Sequence, residues 1–343
     1  MTQKADSPSL EQWKRLYELM AQIKELAPWE YMYEDDLFGV RFPETDQLGF
    51  VSVMGSLGEH YSIAVYLGKK GFDGFWTMQE TGDEFSPDLL LDTPQIQASF
   101  EDREILTPED RKIINQLNLK YRGKQAWPQF RSYRPGCFPW YLKKEEAQIL
   151  ITALEQLLDV APRYKDDPDL LEPTEEKEEK FLVRVIEEHQ WVDRYQEIEF
   201  PNDPPIHLMM NMEALAYLKT RPKENSILEI DVQRMDEAIK DKQFDRPFFP
   251  YLLLIVEKNS QMILGVNLLT PLPSLEEMWG GLSAQVVETL AGSIMPKEVQ
   301  TKNPMVALLL SLLEEELGIK VKRVSRLPGV EFAQRELRKF NRF

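Results

Sequence analysis

A chain of 343 residues is long enough to form two or three domains, each with its own hydrophobic core. Its composition, 43% hydrophobic and 29% charged, is typical of a soluble globular protein, and no apolar run reaches the roughly 20 residues of a membrane-spanning helix. The single cysteine, Cys137, excludes an intrachain disulfide. The net charge of −17 argues against nonspecific nucleic-acid binding by the chain as a whole. Because the first nine residues contain no apolar segment that resembles a signal peptide, we expect a cytoplasmic protein without a membrane partner.

The first part of the chain predicts helices around a short antiparallel meander. Ser9 is a predicted N-cap for a helix that Pro28 ends. Thr107 followed by Pro108 predicts a second helix start. Short β-rich runs separated by polar turns predict the strands. These runs cover residues 36–42, 49–55, 61–68 and 95–101, and an amphipathic helix is predicted over 144–160.

A charged segment divides the chain. Residues 162–180 contain three prolines and mostly charged side chains, which predicts an acidic loop. A predicted hairpin over 181–200 then closes the first domain. Asn202-Asp-Pro-Pro marks the boundary, so we expect an α+β domain over residues 1–200 and a second domain over 201–343.

The second domain alternates strands with helices, which predicts a mixed or mostly parallel sheet with helices on its faces. Asn303, Pro304 and Gly318 are typical of the two ends of one apolar helix. The predicted strands are 226–232, two around a polar turn in 249–267, 298–301 and 319–324, and the other predicted helices are 274–291 and 329–340.

Several motifs resemble those of bacterial two-domain protein families of uncharacterised function. In the first domain they include Trp13-x-x-Leu16, Pro28-Trp29 and Val51-Ser-Val-Met-Gly. In the second domain they include Arg246-Pro and Leu317-Gly-Ile-Lys-Val. The resemblance covers nearly the whole chain and implies an architecture, but no activity.

Residues 247–340 also resemble the ribonuclease H-like and integrase core. Those enzymes bind two metal ions through carboxylates. Glu257 stands where the first carboxylate is expected, whereas the second position offers Lys302 and Asn303, and a lysine repels a cation. The third position could be matched to the acidic run 314–316, although acidic residues late in an amphipathic helix usually form its solvated face. The resemblance therefore implies a scaffold with Glu257 as its sole catalytic candidate and with no metal site or cofactor.

The first domain is rich in aromatic residues. We consider a binding groove, in which tryptophans in loop-like sequence stack on a ligand beside two arginines. The alternative is ordinary packing of a β-rich core. The groove candidates are Trp76, Trp127, Arg131, Arg134 and Trp140.

The C-terminal segment is basic. Residues 319–343 hold eight basic and two acidic side chains, whereas residues 162–201 hold thirteen acidic and six basic ones. The tail could complement acidic surface on this chain, or bind a protein or a nucleic acid. Its binding candidates are Arg335, Arg338, Lys339 and Arg342.

These patterns favour a non-catalytic binding or adaptor protein over an enzyme. Two alternatives stay open: a metal-dependent nuclease or phosphotransferase of ribonuclease H-like type, and nucleic-acid binding through the basic tail.

Overall fold

The computed structural model describes residues 6–82, 87–171, 180–200 and 205–340. The chain divides into two compact units, residues 1–203 and 204–343. Each unit combines one sheet with several helices, which confirms the α+β class. No helix in the described ranges is both long enough and apolar enough to cross a membrane.

The first unit contains a seven-stranded sheet in the order β5-β4-β3-β2-β1-β6-β7. Its neighbouring strands are antiparallel, as the meander predicts, except that β1 and β6 are parallel. The predicted hairpin therefore joins the same sheet beside β1. The strands are β1 (Phe38–Arg41), β2 (Leu48–Met54), β3 (Ser62–Leu67), β4 (Gln95–Glu101), β5 (Trp127–Tyr133), β6 (Lys180–Glu187) and β7 (Gln190–Glu197).

Helices cover both faces of this sheet. Alternate residues of each strand point to opposite faces, so that Val51 and Val53 belong to one core and Phe50 to another. Helices α1 and α5 pack together in the larger core, and α2 contributes Phe75 to the smaller one. The helices are α1 (Leu10–Leu26), α2 (Gly68–Thr81), α3 (Pro87–Asp92), α4 (Pro108–Gln116) and α5 (Lys144–Asp166).

The predicted helix starts are correct, but one predicted loop is partly helical. Ser9 and Thr107 both form capping boxes, at α1 and α4. Helix α5 continues through Pro162 to Asp166, and a short 3-10 turn follows at Pro168–Leu170. Val160, Ala161 and Tyr164 are buried, so packing of the last turn stabilises the helix beyond the proline. Residues 172–179 of the predicted acidic loop lie outside the described residues.

The second unit contains a five-stranded mixed sheet in the order β10-β9-β8-β11-β12. The neighbours of β9 are antiparallel to it, whereas β8, β11 and β12 are mutually parallel. The strands are β8 (Glu224–Arg234), β9 (Tyr251–Glu257), β10 (Ile263–Leu269), β11 (Pro296–Thr301) and β12 (Lys320–Arg323).

The helices of the second unit lie on two faces of the sheet. α6, α8 and α9 bury their apolar residues against Leu228, Ile230 and Val232 of β8, whereas α10 packs on Leu254 and Val256 of β9. The helix predicted over 274–291 is two helices that meet at Gly281. The backbone of Gly280 at this break lies against that of His207 and leaves no room for a side chain. The helices are α6 (Met212–Thr220), α7 (Leu275–Gly280), α8 (Leu282–Ala291), α9 (Pro304–Leu317) and α10 (Pro328–Phe340).

Candidate functional site

Two carboxylates are buried at the centre of the second sheet. In β8 the residues Leu228, Ile230 and Val232 face the main core, so Glu229 and Asp231 face the opposite side, towards α10. Both side chains belong to residues that are less than a tenth exposed. Burial of a charged group is unfavourable unless partners compensate it.

Helix α10 supplies the partners of Glu229. The Oε2 atom of Glu229 accepts hydrogen bonds from the backbone N–H groups of Gly329 at 2.7 Å and Val330 at 3.1 Å. These groups belong to the first turn of α10, where N–H groups lack helical partners and the helix dipole favours negative charge. Glu229 therefore anchors the last helix to the central strand.

Asp231 lies beside a lysine. The parallel register pairs Gln300 with Glu229. Lys302 comes two residues later, directly after the end of β11, as Asp231 comes two residues after Glu229 in β8. Burial raises the pKa of Asp231, and the positive charge of Lys302 partly opposes that rise. Lys302 thus offsets part of the cost of burying the Asp231 carboxylate.

The same lysine also acts on a third acidic residue. Glu331 lies in the first turn of α10 and forms an ion pair with Arg326 at 2.8 Å. The pKa of Glu331 is lowered first by this hydrogen bond and also by the charge of Lys302. Lys302 therefore interacts electrostatically with acidic residues from two elements, β8 and α10.

A second polar network crosses the sheet next to this site. Glu298 accepts a hydrogen bond from Gln300 and forms an ion pair with Lys322, both at 2.6 Å. Gln300 in turn accepts a hydrogen bond from Lys258 at 2.8 Å. The Lys322 ion pair lowers the pKa of Glu298. This network joins β9, β11 and β12 through side chains.

Glu257, the predicted catalytic candidate, is a turn residue. Glu257 is the last residue of β9, and β9 follows β8 in the chain. The sequence resemblance places Glu257 on the first strand of this sheet, but its strand is the second. Its Oε2 atom accepts hydrogen bonds from the backbone N–H and the hydroxyl of Ser260, both at 2.7 Å, and these bonds lower the pKa of Glu257. Glu257 stabilises the turn between β9 and β10.

The remaining metal-ligand candidates have other roles. Asn303 caps α9 by accepting hydrogen bonds from Met305 and Val306. In the acidic run of α9, Glu316 pairs with Lys219, and Glu314 accepts from the backbone of Val321. Within the described part of the chain, no three His, Cys, Asp or Glu side chains are grouped so that they could hold a metal ion. Glu257, Lys302 and Asn303 therefore do not fit a two-metal centre.

Two of the residues predicted to line a groove in the first unit, Trp76 and Trp127, pack in different cores of its sheet. Trp76 packs on Phe72 and Phe75 in the smaller core, whereas Trp127 packs beside the larger one. The Trp140 ring contacts Tyr141 at a centroid distance of 4.8 Å, and the Arg131 guanidinium lies 5.1 Å from the same Tyr141 ring.

The two arginines predicted to line the groove, Arg131 and Arg134, both make contacts within the first unit. Arg131 forms a two-pronged ion pair with Asp110, at 2.6 and 3.0 Å, and both side chains are largely buried. The carbonyl of Arg134 accepts a hydrogen bond from Cys137 in a turn. These contacts assign Arg131 to the packing of α4 against β5.

The basic candidates of the tail belong to α10 or follow it. Arg335 and Lys339 are exposed, and Lys339 forms an ion pair with Glu336 at 2.6 Å. Arg338 is part of α10, but its side chain is not among those described, and Arg342 lies outside the described residues.

The sequence interpretation missed the buried acidic residues of β8 and the acidic residue in the first turn of α10. Glu229, Asp231 and Glu331 come from a strand and a helix about 100 residues apart. A signal for two of them is present in Leu228-Glu-Ile-Asp-Val, where acidic residues alternate with apolar ones in a predicted strand.

The fold and this site define a two-domain α+β protein with charge-compensated carboxylates in its second sheet. The chain belongs to the family described as domain of unknown function DUF7309, whose family model matches residues 13–184. A second family model, domain of unknown function DUF6930, matches residues 214–338. The predicted relation to two-domain families of unknown function is thereby confirmed. A comparison with curated proteins gives no match.

Proposed function

We propose that the protein is a non-catalytic binding or adaptor protein, and that its second unit is a ribonuclease H-like scaffold without the metal site. The strand order supports the scaffold: three antiparallel strands are followed by two parallel ones on the far side of the first strand. If β8 corresponds to the first strand of the ribonuclease H-like core, Asp231 corresponds to the metal-binding carboxylate that those enzymes carry on that strand.

One observation carries the loss of the metal site. Lys302 follows β11, where a second metal-binding carboxylate is expected, and its charge acts on both Asp231 and Glu331. An ammonium group repels a divalent cation and provides no lone pair for coordination while it is charged. The acidic residues that remain are compensated by a side chain of the protein itself.

Metal binding tests this proposal directly. We expect isothermal titration of the full chain with Mn²⁺ to show no saturable site for the wild type. Lys302→Asp removes the ammonium group and supplies a carboxylate beside Asp231, so this variant is expected to gain Mn²⁺ affinity. Lys297→Asp makes the same charge change at an exposed position of β11 and serves as the matched control.

The opposite outcome is equally clear. Saturable Mn²⁺ binding by the wild type that is lost in Asp231→Asn, together with metal-dependent cleavage of a nucleic acid or a phosphate ester, would establish the nuclease or phosphotransferase alternative. Nucleic-acid binding without cleavage is a separate outcome. It would appear as affinity that falls steeply with salt and that requires Arg335 and Lys339. The ion pair of Lys339 with Glu336 reduces the charge available for that role.

A further inference from the structure

The first unit contains a cavity of about 300 Å³ at its surface. The segment that follows α1 forms one wall, and the turn between β2 and β3 forms the other. Nine described residues line it: Trp29, Glu30, Tyr31, Met32, Tyr33, Gly55, Ser56, Gly58 and Tyr61. Its volume suits a small ligand group, at the lower end of the usual range for ligand pockets.

Four of the lining residues are aromatic. The rings of Trp29 and Tyr61 lie 4.7 Å apart, and Trp29 also contacts Phe100, so this pair is fixed by the core. Tyr33 is 62% exposed, so its ring is accessible from solvent. The faces of such rings carry negative electrostatic potential and attract cations.

One cation of the chain already uses a ring of this group. The ammonium group of Lys165 lies 4.9 Å from the centre of the Tyr31 ring. The hydroxyl of Tyr31 is buried and has no hydrogen-bond partner among the described residues.

Apart from Lys165, whose ammonium group lies on the Tyr31 ring, the residues of the two walls that are charged at pH 7 are acidic. Of the nine lining residues, Glu30 carries a carboxylate and none is Lys, Arg or His. Glu34, Asp35 and Glu59 are exposed in the two segments that form the walls. An anionic ligand, such as the phosphate that a glycine-containing turn could bind, meets repulsion here.

We propose that this cavity binds a cationic ammonium group, carried by a small molecule or by a lysine side chain of a peptide. The ammonium group lies against the rings of Tyr33 and Tyr61 and is balanced by Glu30. The inference rests on the proposed binding function and gives it a ligand class.

Choline is a suitable probe, because 3,3-dimethylbutan-1-ol has the same shape without the charge. Ligand-observed NMR on the full chain at constant ionic strength is expected to show saturable choline binding, at least about fivefold tighter than the neutral alcohol, as a cation–π contact requires. Peptides that contain lysine or trimethyllysine form the second arm, which distinguishes a peptide from a small molecule. Equal binding of choline and the alcohol, or no binding of any of these probes, overturns the proposal.

Two exposed positions provide variants that are expected to fold. Tyr33→Leu keeps an apolar side chain but removes the aromatic face, and Glu30→Gln removes the charge. Each is expected to weaken choline binding roughly fivefold. Glu44→Gln, at an exposed position outside the cavity, is the matched control and should leave it unchanged. Unchanged affinity in both cavity variants contradicts the proposed mode of binding.

The two proposals fail separately. Mn²⁺ binding at Asp231 together with metal-dependent cleavage would overturn the non-catalytic function and would not alter choline binding by the first unit. Absence of choline binding in a chain that also fails to bind Mn²⁺ would remove only the ligand class.

Discussion

The carboxylate of Glu229 in β8 accepts a hydrogen bond of 2.7 Å from the backbone N–H of Gly329, and this contact ties the last helix to the central strand. Glycine eases the approach, because a Cβ atom at position 329 would lie 3.1 Å from Glu229 Oε2 and 3.2 Å from Val256 Cγ1, closer than an ordinary van der Waals contact. The contact pairs a buried negative charge with the positive end of a helix.

Glu229→Gln should therefore destabilise the second unit. The amide keeps an acceptor oxygen but removes the charge that the helix terminus favours, so we expect a loss of about 1–3 kcal/mol in the free energy of unfolding. Urea denaturation followed by circular dichroism measures it. Glu315→Gln, on the exposed face of α9, is the control and should change stability little. Equal stabilities of the two variants would contradict an anchoring role.

Arg131→Ala should destabilise the first unit strongly. The substitution leaves the buried carboxylate of Asp110 without its cation, which typically costs about 3–5 kcal/mol in the free energy of unfolding. Thermal and urea unfolding measure the change. Arg122→Ala removes an exposed arginine of the same unit and should alter stability by less than about 0.5 kcal/mol. If Arg131 served a ligand instead, its replacement would leave stability unchanged.

Because Glu298 forms an ion pair with Lys322, we expect the stability of the second unit to depend on pH below the ordinary pKa of glutamate. The pKa of Glu298 is lowered in the folded state, so its contribution to stability is present above the ordinary value of about 4.3 and is lost as pH falls through the lowered value. Wild type should therefore be more stable than Glu298→Gln at neutral pH, and the difference should shrink as the solution is acidified below about pH 4.3. A difference that does not vary with pH would exclude this ion pair as its cause.

For Asp231 we expect the opposite dependence, with stability falling as pH rises. Burial raises its pKa, so the folded state holds the proton more tightly than the unfolded state does. Stability relative to Asp231→Asn should be greatest below the ordinary aspartate value of about 3.9 and should fall as pH rises from there through the raised value. Denaturant midpoints measured across this range test it.

A lysine variant checks the cause. Lys302→Met removes the charge that opposes the rise in the Asp231 pKa, so the decline in stability should extend to higher pH. Lys297→Met, at an exposed position of β11, should follow the wild-type curve. Identical curves for the wild type and Lys302→Met would show that the lysine does not act on Asp231.

Local chemistry made much of the fold predictable. Ser9 and Thr107 begin helices because each side chain satisfies a free backbone N–H, and this depends on residues three positions apart. Asn303 and Gly318 bound α9 for equally local reasons. The parallel contact of β1 with β6 joins residues about 140 positions apart, and no local pattern records it.

The candidate site was harder to predict for the same reason. Lys302 stood out as a departure from a metal-binding pattern, but its neighbours depend on the register between β8 and β11 and on the position of α10. Pro162 shows a second reason why sequence prediction fails. Local propensity predicts that α5 ends at this proline, but tertiary packing keeps the helix intact beyond it.

The positive charge that acts on Asp231 and Glu331 belongs to the side chain of Lys302 and is therefore part of the chain itself. A divalent ion in that place would come and go with its concentration, so that such a fold gains or loses stability with the supply of metal. The ammonium group of Lys302 cannot dissociate from the chain, so its presence does not depend on a metal concentration. The stability of this unit should therefore be the same in a chelator and in millimolar magnesium.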